Sequence, residues 1–229
     1  MIVLGLDTAL RACSAAILAH GKLAARRIAP MEKGHAEHLA PLVAATFEDA
    51  GLTPGDLDRV GVVVGPGGFA GVRVGVAFAR GLTLGTGVAA VAVNSLEALA
   101  AGGRRRDDQS RLFVPVIDAR RGDVYAALYE SDGAARLQPF VAPPKEALAR
   151  LADAAGGRSA ALIGNGAPLL VDPPGDWRRE TAVADIDPDD VAHLAAGATP
   201  DGAPPRPFYL RPPDAKPPTQ SIFAGLTAE

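Results

Sequence analysis

Two aspartates and one glycine-rich loop are the residues whose types and spacing could support chemistry. Asp7 follows the apolar run at residues 2–6, and Asp118 follows a similar run at 113–117. A carboxylate at the end of a buried strand can hold a magnesium-bound phosphate, or it can accept backbone N–H groups within its own turn. The residues leave both readings open. Between them lies VVVGPGGFAGVRVGVAFARGL, residues 62–82, where an apolar strand enters a Gly-Pro turn and then a helical stretch. That layout presents backbone N–H groups to an anion, and Gly65, Gly67 and Ala70 fit the loose G-x-G-x-x-G/A spacing. A dinucleotide site also needs an acidic residue about 20 positions on, after the next strand; that strand ends in Val93-Asn94-Ser95. No Gly-Lys-Ser or Gly-Lys-Thr follows, so the loop is not a Walker loop. The candidate nucleotide-binding set is therefore Asp7, Gly65, Gly67 and Asp118.

Other reactive side chains point nowhere in particular. His35 and His38 flank Glu37 at a spacing of three, whereas helical zinc ligands sit four apart and need a third ligand. No metal site is expected, and the histidines read as surface or interface residues. Cys13 is the only cysteine, which excludes an internal disulfide and a cysteine-rich metal centre. Neither it nor Ser14 has a neighbouring histidine to activate it. With 23 Lys and Arg against 26 Asp and Glu, a net charge of −3, the chain offers no overall attraction to a polyanion. The 5% aromatic content also argues against base stacking, so nucleic acid would be reached through a partner. The pairs and triplet Arg26-Arg27, Arg104-Arg105-Arg106 and Arg120-Arg121 read as solvated surface. No run of 18 apolar residues and no leader-like start is seen, so a soluble, cytoplasmic chain is expected.

The elements that must position these residues can be read from periodicity. Residues 2–6 and the stretch SAAILAHGKLAARRI give three strands in hairpin order, turning at His20-Gly21. Leu39, Leu42, Val43 and Phe47 recur at helical spacing, with Pro41 inside and Gly51 as a C-cap. A strand at 60–64, a helix at 71–82, a strand at 88–93 and a helix from Asn94, with Glu97 in capping-box position, complete a βββαβαβα order, a mixed sheet flanked by helices. FVPVIDARRGDVYAALYE then mirrors the opening strand, aspartate and returning strand, a weak internal duplication. A helix at 143–155, a strand at 160–163 and a short helix at 191–196 follow. The expected units are residues 1–110, 111–198 and a proline-rich tail at 199–229 that wraps the surface or lacks regular structure. On the helix after the loop, Gly71, Gly75 and Ala79 fall four apart; Ala36, Ala40 and Ala44 do the same on the helix before it. Such stripes let helices approach closely, and the second helix carries more apolar surface than one sheet face needs. This predicts a partner interface at His35, His38, Leu39, Leu42, Val43, Phe69, Gly71, Val72, Arg73, Gly75, Val76, Ala79 and Arg80, and predicts that Gly75→Leu blocks association while the chain stays folded.

GLDTALRACSAAI, GHAEHLAPLV, the 62–82 loop and helix, VNSLEALA, IDARRGDVYAALY, GNGA and PRPFYLR, in that order along the whole chain, resemble the TsaB (YeaZ) family. The resemblance implies an α/β, actin-like fold (ASKHA, ribonuclease H-like) of two duplicated lobes, related to sugar kinases. It implies an accessory role in forming threonylcarbamoyladenosine beside the anticodon of tRNAs. The related subunit TsaD would hold the metal and transfer the group, TsaB would bind TsaD through its first two helices, and TsaE would dock on the pair. A homodimer would use the same surface when TsaD is absent; no cofactor would be tightly bound, ATP or ADP being held at most at the junction with TsaD, and tRNA would be met only through the complex. Where family members read Gly-Pro-Gly-Ser-Phe-Thr-Gly, this chain has Gly68 and Ala70, so two hydroxyls are missing from the loop. The alternatives are an autonomous actin-like ATPase or kinase using Asp7, Asp118 and the Gly65 loop, and a glycoprotease-like peptidase.

Overall fold

The N-terminal apolar run, broken at His20-Gly21, folds as a meander in which β1 (Ile2–Asp7), β2 (Ala12–Ala19) and β3 (Lys22–Pro30) pair antiparallel in chain order. This fold comes from a computed structural model describing residues 1–106, 111–200 and 202–211. His20 and Gly21 take positive φ of 52° and 78°, as a two-residue hairpin turn demands. Helix α1 (His35–Ala50) ends at Gly51, whose φ of 64° turns its N–H back onto the Glu48 and Phe47 carbonyls. Next, β4 (Arg59–Gly65) pairs parallel to β1, α2 (Phe69–Thr86) crosses over, and β5 (Ala89–Asn94) pairs parallel to β4, giving the order β3-β2-β1-β4-β5. Helix α3 (Ser95–Arg106) opens on a reciprocal cap: Asn94 Oδ1 accepts the Leu96 N–H at 2.9 Å, and Glu97 accepts the Asn94 N–H.

The second half repeats the plan. Its elements are β6 (Leu112–Asp118), β7 (Val124–Tyr129), β8 (Ala135–Ala142), α4 (Pro144–Ala155), β9 (Ala160–Ile163), β10 (Arg178–Arg179) and α5 (Pro188–Gly197). They form a sheet of order β8-β7-β6-β9-β10, the first order advanced by five. The duplication glimpsed in the strand-aspartate pattern thus extends to the whole topology. Strand β8 falls between the returning strand and the 143–155 helix, where no strand was expected. Its outer half is polar and exposed and it contains Pro139; both are tolerated because β8 lies at the sheet edge.

Each lobe's last helix crosses to the other lobe. Gly103 in α3 packs so closely on Phe113 and Ile163 that a side chain there would meet the Phe113 ring at 2.9 Å. Conversely α5 lies on the first sheet: Gly5 abuts Pro188 and Ala192, and a Cβ on Gly61 would come within 2.6 Å of the Ala195 methyl. Residues 188–197, expected within the 111–198 unit, therefore cover β1 and β4, which explains why those strands are buried on both faces. The crossing is tied by charge through Arg26 and Arg105, which stay partly exposed as expected of the arginine runs yet reach the buried carboxylates that open α5. Arg26 meets Asp187 at 2.7 Å, and Arg105 meets Asp189 at 2.5 Å and Asp190 at 2.7 Å. Arg27 pairs with Asp49 of α1 within the first lobe, at an exposed position. Within the described part of the tail, residues 203–211 run over the surface against both lobes; residues 201 and 212–229 lie outside the described residues.

Candidate functional site

The glycine loop is shaped by its own chain. Gly65 ends β4 with a φ of 107°, and a Cβ on it would stand 2.7 Å from the Phe208 carbonyl oxygen. Gly67 presses on the Ala9 carbonyl, and Gly68 donates its N–H to that same oxygen at 2.7 Å. Only glycine admits these approaches. The second lobe has its own glycine pair: Gly164, φ 93°, lies against the Val116 carbonyl, and Gly166 against the Ile117–Asp118 peptide. Each half thus has a glycine pair where the chain leaves β4 or β9, but the partners differ: the first pair packs on the β1–β2 turn at Ala9 and on Phe208 of the tail, the second on the end of β6 itself.

The two aspartates play matching parts. Asp7 Oδ1 accepts the Ala9 N–H at 2.8 Å, and Asp118 Oδ1 accepts the Arg120 N–H at 2.8 Å, each an i to i+2 turn bond. Both carboxylates thus serve as N–H acceptors within their own turns. Asp7 is only 1% exposed, and burial pushes its carboxyl up to about 7 in spite of the turn bond. Asp118 is partly exposed beside Arg120, 3.6 Å away. It lines a cleft of about 250 Å³ between the lobes, together with Arg11, Lys33, Gly67, Gly68 and Asn165. Gly67 and Asp118 of the candidate nucleotide set reach this cleft; Asp7 and Gly65 do not line it. The remaining reactive groups stay apart. Cys13 is fully buried, its thiol pushed up to about 11 by desolvation. His35 is buried with Nε2 unpartnered, whereas His38 is exposed and bonds the Gly34 carbonyl through Nδ1 at 2.8 Å. Among the described residues no three His, Cys, Asp or Glu side chains gather to hold a metal ion.

Helices α1 and α2 lie side by side on the first sheet, and the structure reverses the expected sides of α2. Gly71 sits against the Thr8 carbonyl while the Thr8 hydroxyl donates to the Gly71 carbonyl at 2.7 Å. A Cβ on Gly75 would fall 2.5 Å from Thr8 Oγ1, and Ala79 is fully buried. The stripe faces inward, letting α2 settle on β1 and β4. Leu39, Val43, Val72 and Val76 are also core residues. These seven positions, with buried His35, are therefore not partner contacts, and Gly75→Leu would disrupt the fold. What remains outside is Ala36, Ala40 and Ala44 on α1 and Ala70, Ala77 and Gly81 on α2, with Leu42, Val74 and Phe78 half-buried along the seam. Of the expected interface, His38, Phe69, Arg73 and Arg80 are exposed. At the start of α2 the Phe69 ring stacks on Tyr209 with centroids 5.3 Å apart, and the Arg73 guanidinium lies 3.7 Å from the Phe69 centroid. Tyr209 was read only as part of the PRPFYLR motif and Ala77 not at all, and neither was assigned to the interface; the aromatic pair Phe208-Tyr209 amid prolines was the available signal for the first.

A family model described as TsaD, tRNA N6-adenosine threonylcarbamoyltransferase, matches residues 27–162, more than half of the chain. The tRNA threonylcarbamoyladenosine biosynthesis protein TsaB of Bacillus subtilis is 38% identical over 130 residues, 57% of this chain and 56% of that protein. The Escherichia coli protein of the same name is 35% identical over 133 residues, 58% of this chain and 56% of that one. The chain belongs to the TsaB (YeaZ) family. It is matched over little more than half the length of those two curated TsaB relatives. A solved Pseudomonas aeruginosa structure titled YeaZ superposes with a TM-score of 0.71 at 28% identity, covering 84% of this chain and 90% of that one. The fold is shared more widely: a Streptomyces griseus ROK family glucokinase aligns with a TM-score of 0.51 at 11% identity, over 86% of this chain and 100% of that one. The TsaB family fold is thus actin-like, two mixed sheets flanked by helices.

Proposed function

We propose that the chain is an accessory subunit in forming threonylcarbamoyladenosine in tRNA: it binds the catalytic subunit TsaD and enables transfer without performing it. The outer face of α1 and α2 carries this reading. In a member of this family, two adjacent helices of 16 and 18 residues present alanine and glycine outward. Each helix is about 25 Å long at 1.5 Å per residue, and small uncharged side chains let partner helices come close. The Phe69, Arg73 and Tyr209 stack at one end supplies the aromatic and arginine anchors that tight interfaces favour. In the same proposal a second copy occupies the face when TsaD is absent, TsaE docks on the pair, any ATP or ADP sits at the junction, and tRNA is met only through the complex. The rival, an autonomous ATPase or kinase, requires Asp7 at a nucleotide; a carboxylate 1% exposed and bonded to Ala9 is poorly placed for that.

The test is light scattering behind size exclusion on this chain with TsaD of the same organism, with threonylcarbamoyl transfer to tRNA assayed in parallel. A new complex, and transfer only with both chains, is expected. Ala40→Glu and Ala77→Glu, both on the outer face, should each weaken association by about tenfold or more, since docking would bury a longer, charged side chain where a small one lay, while melting as the unsubstituted chain does. Unchanged association in both variants, or ATP turnover by this chain alone, would overturn the proposal.

A further inference from the structure

The segment 203–211 touches both lobes within four residues. Phe208 donates its N–H to the Val64 carbonyl in β4 at 2.7 Å, and its own carbonyl fills the space beside Gly65. Tyr209 stacks on Phe69 and accepts from Arg73 Nε at 3.1 Å, which ties it to the first turn of α2. Arg211 then crosses to the second lobe, donating to the Ala119 carbonyl at 3.0 Å and pairing with the Asp123 carboxylate. The turn it grips is unusual: Arg120, Arg121 and Gly122 all have positive φ, at 60°, 57° and 83°, and non-glycine residues hold that region only when their surroundings enforce it. Ala119 and Arg120 also line the interlobe cleft, across from Gly67 and Gly68. Pro204, Pro205 and Pro207 stiffen the segment by fixing φ.

We propose that residues 203–211 form an interlobe strap that couples the opening of the cleft to the exposed first turn of α2. Widening the cleft moves Arg211 away from Phe208, and so short a link cannot absorb the movement. Either the Arg211 pair releases or Tyr209 shifts on Phe69 and Arg73. That this affects a partner rests on the docking reading above; that the strap links the lobes does not.

Hydrogen exchange on the isolated chain separates the two. With Arg211→Ala and with Asp123→Ala, the Phe208 N–H and the amides of residues 69–72 should exchange about tenfold faster or more, by the same factor in both variants. Arg80→Ala, exposed on the same helix, should leave those rates unchanged. Acceleration confined to residues 119–123, or an equal acceleration in Arg80→Ala, overturns the strap. In a binding titration with TsaD, Arg211→Ala should weaken affinity about threefold or more although it lies off the helical face. Wild-type chain that binds no TsaD overturns the docking reading and leaves the exchange result to decide the strap.

Discussion

Asp7 concentrates the cost of the duplicated turn in one side chain. It must accept the Ala9 N–H to shape the β1–β2 turn, yet it lies under the first sheet's helices, where desolvation outweighs that bond and raises its carboxyl from 3.8 to about 7. The sign follows from linkage. The folded chain holds a proton on Asp7 that the unfolded chain has lost, so stability falls as pH rises between those two values and levels off above 7. Asp190, raised to about 6 by burial, acts in the same direction at lower pH. His35, lowered by burial, acts oppositely, its penalty growing as pH falls. Asp7→Asn keeps an acceptor for Ala9 and removes the titration. Between pH 6 and 8 the native chain should lose about 1 kcal/mol relative to this variant, at ~1.4 kcal/mol per pKa unit. Urea denaturation of both chains at the two pH values checks it, the comparison cancelling His35; parallel pH dependence would show that Asp7 is not the group responsible.

Helix α2 has two differently made faces, and they answer differently to substitution. Inward, glycine and alanine bring the helix axis close to β1 and β4, with the Thr8 hydroxyl bonded to the Gly71 carbonyl across the gap. Outward, alanine serves a smooth exposed surface. Gly75→Ala should therefore destabilise the fold by about 1–3 kcal/mol, the range for overpacking, outweighing the helix propensity gain of about 1 kcal/mol. Ala77→Gly, on the outer face, should cost only the propensity difference. Thermal melts of the two variants distinguish them, and a Gly75→Ala chain as stable as the parent would mean that α2 sits further from β1 than described. Periodicity along the chain reveals the stripe and its spacing of four but not its direction, because both faces of this helix carry small or apolar residues. Which face lies inward is decided by Thr8, 63 residues from Gly71 in the chain.

At the scale of the whole molecule, the lobes are held by exchanged helices. α3 leaves the first sheet to cover the second, α5 returns to cover the first, and their ends meet through Arg105 and the carboxylates of Asp189 and Asp190. Asp190 is 1% exposed and its pair with Arg106 is longer, at 3.8 Å. Arg105→Ala should cost roughly 2–4 kcal/mol, less than the loss of a fully buried partner because the arginine is about one-third exposed. The defect should shrink at pH 5, where Asp190 takes up a proton, and be largest at pH 8. Because each lobe carries a helix of the other, the loss should appear as an earlier single transition in denaturation; two separate transitions would show that the exchanged helices do not couple the lobes.

The sequence by itself determined most of the strands, the helices, the repeated strand-aspartate-turn, the loop glycines and the family motifs. Each of these is written in local periodicity, turn chemistry or short spacing, which survive without knowledge of distant neighbours. Strand β8 was hidden by Pro139 and its polar residues, since an edge strand need not look like a buried one. Tertiary structure alone decided that the Gly65 loop closes on Ala9 and Phe208, that the Gly71, Gly75 and Ala79 stripe is core, that Arg26 and Arg105 pair with the carboxylates at the start of α5, and that Tyr209 and Arg211 span the lobes. All four depend on contacts between residues more than 50 positions apart, where the same glycine or arginine can face a partner, a solvent shell or its own chain, and only the packing selects among them.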